Sequence, residues 1–483
     1  MLLEYPREKG TMLVVEGEEE RRAYNEPVSP TGQYFNSSVL SICILAVFES
    51  DIPIDDSPTM STLENLFLPV NPRFSSIMVQ DEHGVQQWKR VKVKLEDHVK
   101  LPTFPPGLES YDQFVQDYLS EIAVEKLPQS QPLWDLHIIK YPTSTAEGTM
   151  VFKLHHALGD GFSLMGALFS CLQRADDPSL PLTFPTSREK AMKKSLWGSI
   201  RWKVPRFLSM CANTVQDVGW SLWKSNLAED DVTPLRSGAP AVEFRPITIS
   251  CIEFALDDIR KIKDKVGGTV NDVISGVIFY GTQLYMQAVG QGQGRSAAQV
   301  TALVLLNTRI IASYQTVEEM TKTNAKSRWG NQFAFLHVSI PMCKNADKAD
   351  PLYFIRKARK IIKAKRSSLA VYLTGRLLEM LRKLKGPEAA ALYIHTTLRK
   401  TTMTISNLTG PIEQMIIAGH PVRSFHFMVV GVPQSLTISV ISYAGKLKVA
   451  MGGERGFIDS ELLILNLKKS FERIFEAAMG KRT

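Results

Sequence analysis

The densest group of side chains able to move a proton is His155-His156-Ala157-Leu158-Gly159-Asp160-Gly161, where a β-branched and aromatic stretch gives way to a predicted helix. An imidazole with a pKa near roughly 6.5 is matched to taking a proton from a hydroxyl at neutral pH. Adjacent residues of a strand point to opposite faces, so the two histidines cannot both address one small group while the strand continues. This predicts one catalytic and one structural histidine. Asp160 is placed to cap the helix predicted from about Phe162, and Gly161 permits close backbone approach. On these grounds alone, however, a histidine pair is more often packed or hydrogen-bonded than catalytic. Metal binding is a poorer fit, because the pair lacks the i, i+4 spacing of a helical zinc site and has no local third ligand. Ser163 lacks the second glycine of a nucleophile elbow, which disfavours a serine hydrolase.

The elements that must hold this group read as alternating strands and helices. Strands are predicted over Val39 to Phe48, Leu133 to Lys140 and Thr149 to His155, with a hairpin over Ile77 to Val93 turning at Glu82-His83-Gly84. A helix carrying Phe114, Val115, Tyr118, Leu119 and Ile122 on one face follows Ser110, which has capping-box spacing to Gln113, and Pro128 ends it. Another helix spans Phe162 to Leu172. The pattern restarts near Ile247 with a strand to Phe254, a helix over Asp257 to Val266 stopped by Gly267-Gly268, and a helix from about Thr269. Later strands are expected over Val300 to Leu306, Phe333 to Ile340, Thr402 to Ser406 and Leu436 to Tyr443, and helices over Leu352 to Lys365 and Ser460 to Ala478. The glycines from Gly290 to Gly294 have no preceding strand and read as a loop.

Composition bounds the rest. The chain has 483 residues, 44% hydrophobic and 22% charged, which fits an ordinary globular protein and is too long for one core. Its longest apolar runs fall short of the roughly 18 to 20 residues of a spanning helix. Five well-separated cysteines without metal-site spacing fit a reducing compartment, and the acidic N-terminal stretch has no signal-peptide core. The sequons at Asn36 and Asn407 are read as unglycosylated. The net charge of +8 admits an anionic partner. Much of it lies between residues 188 and 206, where seven cations face Glu189 alone, with Trp197, Trp202, Trp220 and Trp223 in or just beyond the stretch. That composition suits a membrane-interfacial segment or an inter-domain linker. The expected division is an N-terminal domain over 1–185, this linker over 186–245 and a C-terminal domain over 246–483. No helix-turn-helix, RNP string or finger accompanies the charge, so nucleic acid is set aside.

HHxxxDG is the shared signature of the coenzyme A-dependent acyltransferase superfamily. Pro132-Leu133-Trp134 resembles its PLW motif, Asn271-Asp272 its ND motif and Ser406-Asn407-Leu408-Thr409-Gly410-Pro411 its SNxxGP stretch. With Pro27 to Phe35 and Trp329-Gly330-Asn331-Gln332 also similar, the chain is identified as a member of the wax ester synthase/diacylglycerol acyltransferase family, most like the plant branch. No DFGWG string occurs, which argues against the related BAHD acyltransferases.

The resemblance implies an α/β (α+β) fold of two similar chloramphenicol-acetyltransferase-like domains, each a mixed sheet with helices, and a channel between them. It implies transfer of a fatty acyl group from acyl-CoA to a long-chain alcohol, and also to diacylglycerol, with acyl-CoA as co-substrate, no resident cofactor and no metal. A thioester is already activated, so orientation, deprotonation of the hydroxyl and oxyanion stabilisation suffice without a covalent intermediate. By the motif His156 is the general base, His155 its supporting neighbour, and Asp160 holds the loop through an ion pair for which Arg309 is the candidate, with a satisfied strand-end arginine as the alternative. Asn271 either contacts the oxyanion or channel or merely caps a helix. Gly161, Asp272, Pro132, Leu133, Trp134 and Asn407 are the expected substrate contacts, with packing as the alternative for the Pro-Leu-Trp string. The cations from Arg356 to Arg366 are the expected rim for the CoA phosphates or, alternatively, a solvated face. Lipid acceptors imply a membrane surface, expected to be the cytosolic face of the endoplasmic reticulum, with the plasma membrane second. The competing readings are a lipid or acyl-CoA binding protein without catalysis, and an acyl-CoA hydrolase.

Overall fold

The computed structural model describes residues 26–82, 85–185, 214, 219–220, 223, 228–290, 298–309, 329–366 and 370–480. Most of the basic, Trp-rich segment and the loop after Gly290 lie outside the described residues; within them, the Trp220 and Trp223 rings meet with centroids 5.1 Å apart.

Two mixed sheets organise the chain. The first runs in the order Val99–Lys100, Trp134–Ile139, Gly148–His155, Cys43–Ser50, His420–Val430, Met415–Ile417, Gln173–Arg174. Its central strand CILAVFES is apolar on both faces and almost wholly buried, as expected for a strand covered on both sides. The second runs Phe333–Ser339, Thr301–Asn307, Met403–Thr409, Leu436–Tyr443, Lys446–Glu454, Ile247–Ala255. Its Met403–Thr409 strand pairs in parallel with both neighbours, whereas the outer pairs are antiparallel. A small third sheet contains the hairpin Ser76–Gln80 and Gln86–Arg90.

One strand departs from the expected division. His420–Val430 leaves the second half of the chain and pairs antiparallel with Cys43–Ser50, so residues 246–483 contribute to both sheets. Each sheet has its own apolar core. Lys448 of the second sheet and Glu49 of the first form a partly buried ion pair at 3.0 Å, and the ammonium also donates to Ser424 Oγ.

The second core is filled by the 20-residue helix Val270–Val289, which is buried along most of its length. Such a helix needs close neighbours. Gly276 and Gly281 supply the room: a Cβ at Gly276 would sit 2.9 Å from the Ile355 Cα, and one at Gly281 would sit 3.0 Å from the Leu467 Cα. The helix N-terminus is closed by Thr269, whose hydroxyl accepts from Asp272 N while the Asp272 carboxylate accepts from Thr269 N. The cap is therefore Thr269, with Asn271 inside the first turn.

The helix Asp112–Val124 corrects the capping expectation. Its N-cap is Tyr111 with no side-chain bond, because Ser110 Oγ donates to the Asp112 carboxylate, which also accepts from the Ser144 amide and hydroxyl. The helices Ala370–Lys385 and Pro387–Arg399 add to the elements expected from the sequence.

Candidate active site

Strand Gly148–His155 brings the histidine pair to the junction of the two sheets. The ladder holds as far as His155, opposite Cys43, and His156 N donates to Ile42 O at 2.9 Å. The two side chains then take different surroundings. His155 is fully buried: Ala157 N donates to its Nδ1 at 3.1 Å, so Nε2 carries the hydrogen and faces Ser41 Oγ at 3.2 Å. Burial pushes its pKa down to about 3, with the neighbouring His156 and Lys153 adding to the effect. His155 is thus a neutral structural hydrogen-bonding group.

His156 lines a cavity of about 320 Å³. Its ring packs against Phe35 and Phe333, at centroid distances of 4.7 and 5.3 Å. Nδ1 and Asn331 Oδ1 are 2.8 Å apart, and Asn331 Nδ2 donates to the His156 carbonyl at 2.9 Å. Among the described residues no hydrogen bond engages Nε2. Burial lowers the His156 pKa, opposed by the charge of Asp160 and by hydrogen bonds to its own carbonyl and to Asn331.

Asp160 caps the helix Gly161–Ser170 by accepting from Ser163 N at 3.0 Å. Its other oxygen accepts from Arg309 Nη1 at 2.5 Å and from Gln332 N at 2.8 Å. Arg309 Nη2 donates to Ser163 Oγ and to the Gly330 carbonyl, at 2.9 and 2.6 Å. The Ser163 hydroxyl also accepts from Gly330 N and donates to Gly330 O. With its donor and acceptors engaged inside the protein, Ser163 is a tie between loops. Trp329 Nε1 and Arg73 Nη1 both donate to the Leu158 carbonyl, so the loop between the histidines and Asp160 is held from several directions.

The cavity has an apolar part formed by Ile44, Met165, Phe169, Phe184, Phe427 and Val429, and a polar part that includes Asn307, Ser406, Asn407 and Thr409. That division suits a long aliphatic chain bearing a polar end. Among the described residues, no cluster of three His, Cys, Asp or Glu could hold a metal.

Two family models match the chain: the wax ester synthase/diacylglycerol acyltransferase catalytic domain over residues 37–274, and the WS/DGAT C-terminal domain over residues 329–475. The chain belongs to the wax ester synthase/diacylglycerol acyltransferase family. It is an acyltransferase of that type. Wax ester synthase/diacylglycerol acyltransferase 11 of Arabidopsis thaliana is 28% identical, with 94% of this chain and 96% of the relative covered. Number 3 of the same species is 29% identical over 99% and 98%. Among solved structures, the wax ester synthase/diacylglycerol acyltransferase of Marinobacter aquaeolei VT8 superimposes with a TM-score of 0.57 at 15% identity, covering 94% of this chain and 99% of that one. The first condensation domain of the calcium-dependent antibiotic synthetase gives 0.54 at 12%, covering 96% and 95%. These likenesses show the fold, two chloramphenicol-acetyltransferase-like halves around a central cleft.

The family motifs separate when placed in this fold. His156, Asp160, Gly161, Arg309 and Asn407 line the cavity. Pro132, Leu133 and Trp134 do not; Trp134 is fully buried, stacks on His98 at 4.2 Å and donates to the Phe74 carbonyl. Their placement is that of packing residues. Asp272 is spent on its helix cap. Asn271 is exposed and accepts from Asn407 Nδ2 at 2.6 Å, so it meets the cavity only through Asn407. Helix Pro351–Arg366 supplies no residue to the cavity wall, and its Arg356 pairs with Asp350. Asn331 and Gln332 belong to a stretch that sequence comparison marks as family-like without assigning either a role; their partners are about 170 residues away, and no local pattern discloses them.

Proposed function

We propose that the chain transfers a fatty acyl group from acyl-CoA to a long-chain alcohol, giving a wax ester, and to diacylglycerol, giving triacylglycerol, with His156 as general base. The observation that carries this reading is a neutral imidazole, its Nε2 unengaged among the described residues, in the wall of a cavity that joins an apolar chamber to a polar wall. The alcohol oxygen attacks the thioester carbonyl as His156 takes the hydroxyl proton. The tetrahedral intermediate then expels the CoA thiolate, which receives that proton from His156, leaving ester and free CoA. Burial favours this base because it keeps the imidazole unprotonated at neutral pH. Acyl-CoA is a co-substrate in this scheme and no resident cofactor takes part.

Both acceptors are lipids, and the reading places the protein at a membrane surface, with the cytosolic face of the endoplasmic reticulum first and the plasma membrane second. No helix of the described residues is long and apolar enough to cross a bilayer. Surface binding is supported by helix Ala370–Lys385, where Leu373, Met380 and Leu384 are 45%, 51% and 74% exposed at spacings that share one face. Exposed Arg376, Lys383 and Lys385 accompany them, an arrangement suited to anionic headgroups. Met380→Glu with Leu384→Glu should reduce sedimentation with phosphatidylserine vesicles; unchanged sedimentation removes this face from the proposal.

The function is tested by giving wild-type and His156→Ala protein labelled palmitoyl-CoA with hexadecanol or diacylglycerol and resolving the neutral lipids. Ester from wild type alone is expected. Thioester loss without ester identifies a hydrolase, and no turnover by folded protein leaves binding as the activity.

A further inference from the structure

We propose that Asn331 is the positioning residue that fixes the tautomer of His156, placing the hydrogen on Nδ1 and the lone pair on Nε2. This rests on the general-base reading of His156 for its functional consequence, but the tautomer itself follows from hydrogen-bond roles alone. A backbone carbonyl can only accept, so the group of Asn331 that lies 2.9 Å from the His156 carbonyl is its NH₂. The amide oxygen is thereby turned to Nδ1, 2.8 Å away. An amide oxygen can only accept as well, and Nδ1 must carry the hydrogen. The proton-accepting nitrogen is then Nε2, which no hydrogen bond engages among the described residues.

The adjacent histidine provides an internal contrast. At His155 a backbone N–H donates to Nδ1, which forces the opposite tautomer with the hydrogen on Nε2. Two neighbouring imidazoles of identical covalent structure are therefore set to opposite hydrogen placements by their hydrogen-bond partners. Asn331 is itself held in place by its neighbours: Gly330 is fastened to Arg309 and Ser163, and Gln332 N to Asp160. The choice of an amide also has a consequence. It orients the ring as the carboxylate of a Ser-His-Asp triad does, but adds no negative charge that would favour the imidazolium.

The test compares full-length wild type with Asn331→Ala and Asn331→Asp, using selective ¹⁵N-histidine labelling and the pH profile of wax ester formation, with His156→Gln assigning the resonance. Wild type is expected to show His156 with a protonated Nδ1 and an unprotonated Nε2. Asn331→Ala is expected to mix the tautomers and lower kcat by about ten- to a hundredfold, the range found when a hydrogen-bond partner that orients a metal-ligating histidine is removed, with little change in KM. Asn331→Asp keeps the shape and is expected to move the acid limb of the profile to higher pH. A wild-type His156 protonated on Nε2 overturns the inference whatever the catalytic result, as does an Asn331→Ala protein whose tautomer and kcat are unchanged. Should the alanine variant not fold, the aspartate profile decides: an unmoved acid limb counts against it. Loss of the tautomer assignment is thus distinguishable from loss of the general-base reading, which His156→Ala addresses.

Discussion

Arg309 and Asp160 meet at 2.5 Å with side chains 0% and 5% exposed, one following a strand of the second sheet and the other following a strand of the first. The pair ties the histidine loop to the loop that carries Asn331. Arg309→Met leaves a buried carboxylate without its cation, and removing one member of such a pair costs about 3 to 5 kcal/mol. Thermal and denaturant unfolding of the variant should show that loss. Arg309→Lys is expected to recover only part, since an ammonium cannot reproduce the guanidinium's simultaneous bonds to Asp160, Ser163 and Gly330.

Activity should be flat through neutral pH. Burial depresses the His156 pKa below the ordinary imidazole value, so the base stays unprotonated until the medium becomes more acidic than that value. The acid limb of kcat/KM in wild type is expected below about pH 6.5. A limb at or above that pH would mean that the titrating group is not this buried imidazole.

Stability should fall on mild acidification for a separate reason. His155 and His426 are buried, and each has its pKa pushed down to about 3 in the folded chain. The unfolded chain takes up protons near pH 6.5 while the folded chain does not, so stability is full above that pH and declines as pH falls toward 3. The slope is at most about 1.4 kcal/mol per pH unit for each group. Denaturant midpoints of wild type and His426→Gln between pH 7 and 5 check this: the variant should lose less on acidification.

Chain-length preference should respond to Phe169. Its ring lines the apolar part of the cavity and packs against Phe184 and Phe425, with centroids 5.6 Å from each. Phe169→Ala enlarges that chamber and is expected to raise the rate with an 18-carbon chain relative to a 12-carbon chain by about tenfold, since even one methylene can shift discrimination by that much. Competition between the two acyl-CoAs, repeated with two alcohols, shows which substrate the chamber accepts. An unchanged ratio in both series removes Phe169 from specificity.

Much of this architecture is legible in the residue order because β-branched and aromatic runs write strands directly. The expected strand at Leu133 to Lys140 appears as Trp134–Ile139, and that at Leu436 to Tyr443 appears unchanged. Arg309 is reached only through the family resemblance, which implies an arginine partner for Asp160; the burial that makes the pair matter is not written in the residue order. The role of Asn331 is not reached, because an asparagine acquires its role from a carbonyl and a ring nitrogen 175 residues away. The strand HPVRSFHFMVV escaped notice for a related reason: its proline, arginine and two histidines break the apolar run, and its partner CILAVFES lies hundreds of residues earlier. Ser110 misled for the opposite reason, since its hydroxyl finds a neighbouring carboxylate before any helix amide.

The crossing of His420–Val430 into the first sheet also governs the order in which the molecule can be assembled. During synthesis Cys43–Ser50 has one neighbour, Gly148–His155, as soon as the first third of the chain emerges, but its other edge waits for residues made near the end. Until then an apolar strand bearing the histidine loop's neighbours presents unpaired amides and carbonyls, the kind of edge that invites aggregation. Closure of so distant a pairing is slow. The first half of this protein therefore cannot mature as an independent unit, and a truncation ahead of residue 420 removes the strand that completes the histidine-bearing sheet.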